Sequence, residues 1–207
     1  MKKILILCII GVFALMVGCA SEPKPTPVAK GYVPADPFPP LPVDAKAYVA
    51  VGKAMFKKDR QTAEDMARIA ALGILTDNFS LDAVRAIQEE VKDASTDGEG
   101  KRVYNILSRI KYDGPIPGQK FNEKIVSEKT GEVLIRIYVA RPEVDEIIMP
   151  YYLKKLRDIA AGDYADQIEK KYLEIYTSKE FEKDKEKQLK ILREYNYQIQ
   201  LNLMKRI

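Results

Sequence analysis

Two alternating segments, Lys120–Ser127 and Glu132–Ala140, constrain the fold of this chain more than any other feature. In the second, Val133, Ile135, Ile137 and Val139 alternate with Leu134, Arg136 and Tyr138. A period of two places alternate side chains on opposite faces of a strand. Between the segments, Glu128-Lys129-Thr130-Gly131 ends on a glycine, which supplies the positive φ of a tight reversal. The pattern predicts a β-hairpin, with Pro142 ending the second strand. Tyr48–Phe56 reads as a further strand, rich in small and apolar residues. Gly52 within it marks a bulge or a close approach of another backbone.

The rest of the chain after Lys46 has helical periods. Thr62 and Asp65 form a capping pair. Ala63, Met66, Ala67, Ala70 and Ile74 follow at spacings of three and four. So narrow a stripe predicts a helix lying close against a sheet, ending near Asn78. A second helix is expected over Leu81–Ala94, capped by Ser80. Ser95–Gly100 reads as a loop, Val103–Ile110 suits either helix or strand, and Asp113–Gly118 is a turn-rich connection. From Pro150 onward the pattern predicts three helices. The first carries Leu153, Leu156, Ile159 and Ala160 and stops at Gly162. The second spans Tyr164–Tyr176, and the third is capped by Ser178 and carries Leu189, Leu192, Ile199 and Leu203. Residues 179–190 are charged on nearly every side, which predicts a solvent-exposed or partner-facing segment. The fold class expected is α+β: a small antiparallel sheet packed against an Ala-rich helix, with a C-terminal α-helical extension.

Residues 20–44 differ in kind. They hold Pro23, Pro25, Pro27, Pro34, Pro37, Pro39, Pro40 and Pro42, eight of the twelve prolines. Such a stretch lacks backbone donors and favours polyproline II geometry, so it reads as a passive spacer. At ~3.1 Å per residue it reaches about 70–80 Å. Before it, Met1-Lys2-Lys3 leads an apolar run from Ile4 to Val17, of about 14 residues, shorter than the ~20 that a membrane-spanning helix needs. A basic start, an apolar core and a small residue describe a secretory signal peptide. The formal charge of the whole chain is +4, to which Lys2 and Lys3 contribute two. The remainder carries no field suited to nucleic acid.

Leu15-Met16-Val17-Gly18-Cys19 resembles the lipobox of bacterial lipoproteins, with Met16 where Leu is preferred. The resemblance implies cleavage after Gly18, acylation at Cys19 and a lipid-anchored protein. Ala20, rather than Asp, follows Cys19, which by the same resemblance favours the outer membrane. The expected organisation is a signal peptide over 1–18, a tether over 19–45, an α+β domain over 46–142 and a helical extension over 143–207.

Tyr48-x-Ala50-x-Gly52-x-Ala54, followed by Thr62-Ala63-x-x-Met66-Ala67-x-x-Ala70-Ala71-x-x-Ile74-Leu75, resembles the LPP20 family of bacterial lipoproteins and the related N-terminal region of a flagellar assembly protein. Thr130–Val139 resembles the strand that closes the family's domain. The resemblance covers roughly residues 46–142. It implies an α+β envelope domain with no catalytic motif to transfer. Ala160-Ala161-Gly162-Asp163-Tyr164-Ala165 also resembles the corner between helices of a tetratricopeptide repeat. A single corner does not make a solenoid, and an ordinary helical hairpin is the simpler reading.

The chain has no His, and Cys8 and Cys19 are its two cysteines. With Cys8 in the leader and Cys19 acylated, thiolate chemistry, Cys-metal sites and the usual catalytic triads have no residues to use. Glu89, Glu90 and Asp93 raise glycan hydrolysis, but carboxylates on one helix do not face each other across a cleft. Asp97-Gly98-Glu99-Gly100 lacks the ligand spacing of a calcium loop. Lys53, Lys57, Lys58 and Arg60 read as a solvated turn or a weak contact with anionic headgroups or glycan. No catalytic residue, metal ligand or cofactor is expected. The last helix carries more apolar groups than one buried stripe needs, so Tyr195, Ile199, Leu203 and Ile207 are the candidate partner-binding residues. The expected role is a structural or adaptor module that binds an envelope protein. The alternative is a peptidoglycan- or glycan-binding tether between membrane and wall, with a glycan hydrolase behind both.

Overall fold

The computed structural model describes residues 37–94, 98–159 and 163–204. The leader, Cys19, the tether before Pro37, Ala160, the expected helix stop at Gly162 and Ile207 lie outside the described residues. Phe38–Ile207 forms one compact unit. Its elements run β1 (Ala47–Met55), α1 (Arg60–Ala94), α2 (Glu99–Leu107), β2 (Lys120–Ser127), β3 (Glu132–Ala140), α3 (Arg141–Ile159), α4 (Asp163–Tyr176) and α5 (Lys179–Met204). The fold is α+β, with an antiparallel sheet ordered β1-β3-β2.

The hairpin has the boundaries that its alternation predicts. Gly131 sits at φ 69°, and its amide donates to the Ser127 carbonyl at 2.8 Å. β3 is central and buried on both faces. One face presents Val133, Ile135, Ile137 and Val139 to α1. The other carries Arg136, Tyr138 and Ala140.

The two helices expected over 62–94 are one helix of 35 residues. Asp59, rather than Thr62, caps it: the Thr62 amide donates to Asp59 Oδ1 at 3.0 Å, and the Thr62 hydroxyl donates to Oδ2. These bonds hold the exposed Asp59 carboxyl below the usual range. Asn78 and Ser80 lie inside the helix. Packing overrides their capping preference, because every fourth residue is buried: Ala63, Ala67, Ala71, Leu75, Phe79, Ala83, Ile87 and Val91. Each step of four advances about 40° around a helix, so the buried line winds through about 280° from end to end. Along its length the helix meets β1, β3, α2, α3 and α4. Met66, Ala70 and Ile74, expected on the core-facing stripe, are exposed.

α1 approaches the sheet closely at Gly52. A Cβ there would overlap the Ala67 carbonyl oxygen and the Ala71 amide nitrogen. The glycine marks a close backbone approach, and β1 pairs with β3 in unbroken register from Ala47↔Ala140 to Met55↔Glu132.

The segment open to either reading is helical, as α2. The first C-terminal helix starts at Arg141, nine residues before Pro150. Pro142 falls in its first turn, where a missing amide hydrogen costs nothing. Val144, Ile148, Tyr152, Leu153 and Leu156 of α3 join the core that α1 builds with the sheet. The C-terminal helices are thus part of the same unit. Ser178 caps α5 as its position predicts, accepting from the Phe181 amide at 3.1 Å.

Filling the contact at Gly52 should be costly. Gly52→Val is expected to lower the unfolding free energy by about 1–3 kcal/mol, the range for overpacked cores. Gly73, on the open side of α1 with nothing near its Cβ position, should respond in the opposite sense, with Gly73→Ala adding about 0.5–1 kcal/mol. Urea denaturation of both variants measures the contrast.

Candidate interaction surface

The face of the sheet away from α1 is where α5 docks. β2 and β3 supply two cross-strand pairs in register, Phe121↔Tyr138 and Glu123↔Arg136. The first pair stacks, with ring centroids 5.5 Å apart and planes 20° apart. The second is a buried ion pair: Arg136 Nη2 donates to Glu123 Oε1 at 2.6 Å, and the residues are 2% and 5% exposed. α5 lays Leu192 against Phe121, Tyr138 and Ala140. Its Tyr195 ring meets Tyr138 edge-on at 5.9 Å.

The N-terminal segment completes the cover. Arg136 Nη2 also donates to the Tyr195 hydroxyl at 2.8 Å, and that hydroxyl donates to the Pro39 carbonyl at 3.0 Å. The Arg136 guanidinium lies 4.9 Å from the centre of the Phe38 ring, within range of a cation–π contact. Phe38–Leu41, expected to be passive tether, is therefore bound to the sheet. Charged groups need such enclosure, since a buried ion pair is tolerated only when its remaining hydrogen-bonding capacity is met.

In the charged first half of α5, Glu180, Glu182, Lys183, Glu186, Lys187 and Lys190 are exposed as expected, while one side is pinned to the domain. Gln188 Oε1 accepts from the Lys46 amide at 2.7 Å, Asp184 accepts from Lys46 Nζ at 2.9 Å, and Lys185 pairs with Glu146 at 3.1 Å. The Lys46 ammonium holds the Asp184 carboxyl below the usual range.

The four candidate partner-binding residues separate. Tyr195 is spent inside the chain, on Arg136, Tyr138 and Pro39. Ile199 is half-buried, and Leu203 is exposed. Ile207 lies outside the described residues, as does Cys19. Tyr197 and Met204 are exposed as well, so the distal turns of α5 carry open apolar surface. The residues that organise this face, Arg136, Glu123 and Gln188, were not among the candidates. The signal was a charged residue inside an apolar strand: Arg136 interrupts Val-Leu-Ile-Arg-Ile-Tyr-Val-Ala and needs a carboxylate opposite.

Other candidate chemistry is taken up by pairing. Glu89 pairs with Lys92, and Glu90 with Lys171. Of the basic cluster, Lys53 pairs with Glu132, and Arg60 with Glu64 and Glu128. Asp145 accepts from the Tyr48 hydroxyl at 2.8 Å, and burial pushes its carboxyl up. A cavity of about 220 Å³ lies between the middle of α1 and residues 108–112. Two larger and more open hollows, of about 340 and 490 Å³, lie beside Val49 and Asp82 and beside Pro42 and Tyr195. Among the described residues, no group of three or more acidic, His or Cys side chains is placed to hold a metal ion.

No protein-family model, curated protein or solved structure matches this chain.

Arg136→Met, which leaves Glu123 buried without its partner, is expected to cost about 3–5 kcal/mol of stability. Adding Glu123→Leu should recover most of that loss, because the uncompensated charge is gone. Chemical denaturation of both variants reads the coupling.

Burial raises the phenols of Tyr48, Tyr138 and Tyr195, and that of Tyr172 to about 12. A phenol whose folded pKa exceeds its unfolded value of ~10 contributes stability fully below pH ~10, and loses it as pH rises through the folded value. Stability should therefore be lost above pH ~10. Tyrosinate absorbance of the buried rings should then appear together with loss of circular dichroism.

Proposed function

We propose that this chain is a lipid-anchored protein of the bacterial cell envelope, of the LPP20 kind, that acts as an adaptor for another envelope protein. The observation that carries the anchor is Cys19 directly after Gly18, at the end of a leader with a basic start and an apolar core. The thiol takes the acyl chains there, and one chain alone would bind a membrane only marginally, whereas several hold firmly. Ala20 supports an outer-membrane destination. Among the described residues no helix is long and apolar enough to cross a membrane.

Binding rather than catalysis is supported by how the polar side chains are used. Arg136, Glu123, Gln188 and Asp145 are consumed in holding the fold. The distal end of α5 has the opposite character: Tyr197, Leu203 and Met204 are exposed on a helix that Leu192 and Tyr195 fix in place. A rigid helix with a free apolar end suits a groove on a partner protein. The partner site is thus the last turns of α5, with the half-buried Ile199 at its root.

Two substitutions separate anchor from adaptor. Cys19→Ser should abolish acyl labelling and release the chain from the membrane fraction. Leu203→Arg with Met204→Arg should leave labelling and thermal unfolding unchanged, yet remove the protein that crosslinks to this chain in cells. Unchanged fractionation of Cys19→Ser would refute the anchor. Unchanged crosslinking of the arginine variant would refute the α5 site, and retention by purified sacculi at low salt would favour the wall-binding alternative.

A further inference from the structure

We propose that the free edge of β1, together with the outer stripe of α1, is a dimer surface that takes a second copy of this chain. It is separate from the distal end of α5 and does not depend on the adaptor reading.

β1 has β3 on one side and no strand on the other among the described residues. Which of its groups face outward follows from the ends of the ladder. The Lys46 carbonyl accepts from the Arg141 amide at 2.9 Å, and the Phe56 amide donates to the Gly131 carbonyl at 2.7 Å. Hydrogen-bonded pairs alternate along an antiparallel ladder, so the even-numbered residues of β1 turn toward β3. The odd-numbered ones, Ala47 to Met55, turn their amides and carbonyls outward. Such an edge is a template for a further strand, and natural proteins blunt it with proline, bulges or charge. Here the register is unbroken, the strand has no proline, and Lys53 is its one charge.

The edge is complementary to itself. An antiparallel copy related by a two-fold axis at Val51 pairs Val51 with Val51, Val49 with Lys53 and Ala47 with Met55, all of them residues with outward groups. Ala50 and Gly52 face each other beneath the helices, where small residues leave room.

α1 supplies a second match with the same centre. Because Gly52 lies under Ala67 and Ala71, the part of α1 nearest the axis is around Ile69 and Ala70. α1 runs back along β1, bringing Phe79 to Tyr48. Its side toward β2 holds Glu64, paired with Lys124. Its outer side exposes Met66 (58%), Ile69 (69%) and Ile74 (43%), with Ala70 and Gly73 between them. About Ala70 the stripe is symmetric: Met66 of one copy meets Ile74 of the other, and the small Ala70 stands at the crossing. α1 packs on both β1 and β3. With strands ~4.8 Å apart, the two α1 axes come to about 10 Å, the upper end of helix packing distances.

The area is that of a specific interface. A nine-residue edge is about 30 Å long, and with the helix layer about 20 Å high gives on the order of 600 Å² per copy, the lower end for a specific interface.

Hydrogen-bonded residues on paired strands have Cα atoms about 5.5 Å apart, within reach of a disulfide. In the full chain, Val51→Cys should give a crosslinked species of twice the chain mass on mild oxidation in cells, at least tenfold above Lys129→Cys in the exposed hairpin turn. Adding Ala70→Arg, or Ile69→Glu as a second surface variant, should reduce that species at least tenfold with circular dichroism unchanged. Crosslinking no greater than that of Lys129→Cys would overturn the proposal, as would crosslinking that survives both helix substitutions. So would slow hydrogen exchange at Val49, Val51 and Lys53 in a monomer, since the edge would then be covered by the chain itself.

Discussion

The contact on which the rest of the structure depends is the close approach of α1 to β1 at Gly52. A three-stranded sheet has little area, and a helix stabilises it only by lying near enough to exclude water from both strands beneath. Ala63, Ala67 and Ala71 bring the helix down, and the missing Cβ of Gly52 lets its backbone pass. Larger residues follow at the same spacing, Leu75, Phe79, Ile87 and Val91, as the buried line winds away from the sheet. One helix thereby lines one continuous core, with small residues beside Gly52 of β1 and bulky ones further along.

The opposite face is held by different forces. Arg136 and Glu123 occupy the middle of a surface that otherwise excludes charge, and their pairing is useful only while it is enclosed. Enclosure comes from two distant parts of the chain, Phe38–Pro39 and α5, which meet at the Tyr195 hydroxyl. Breaking the pair costs more than the pair itself contributes. Through Tyr195 and Phe38, the ion pair ties α5 and the N-terminal segment to the sheet.

This arrangement leaves two surfaces of different kinds. The distal turns of α5 are an apolar end projecting from a fixed helix. The β1 edge with the α1 stripe carries a row of backbone donors and acceptors and, as proposed, is symmetric about its own centre. The first suits a grooved partner and the second an identical chain, so a paired module can present two α5 ends at once.

The sequence by itself determined the hairpin to the residue, because alternation and a positive-φ glycine are local signals. It also determined the α+β class and the Ser178 cap. Where α1 ends, where α3 starts and which residues of α1 are buried were decided only by the tertiary structure. Asn78 and Ser80 are sound capping residues, but the neighbours that bury Phe79 and Ala83 make continuation of the helix cheaper than a stop. Met66, Ala70 and Ile74 fit a helical stripe as well as Ala67, Ala71 and Leu75 do. Their burial depends on which side the sheet occupies, and periodicity alone does not carry that information. The fate of Tyr195 was hidden for the same reason: its partners, Arg136 and Pro39, lie 59 and 156 residues away, and only the folded chain brings them together.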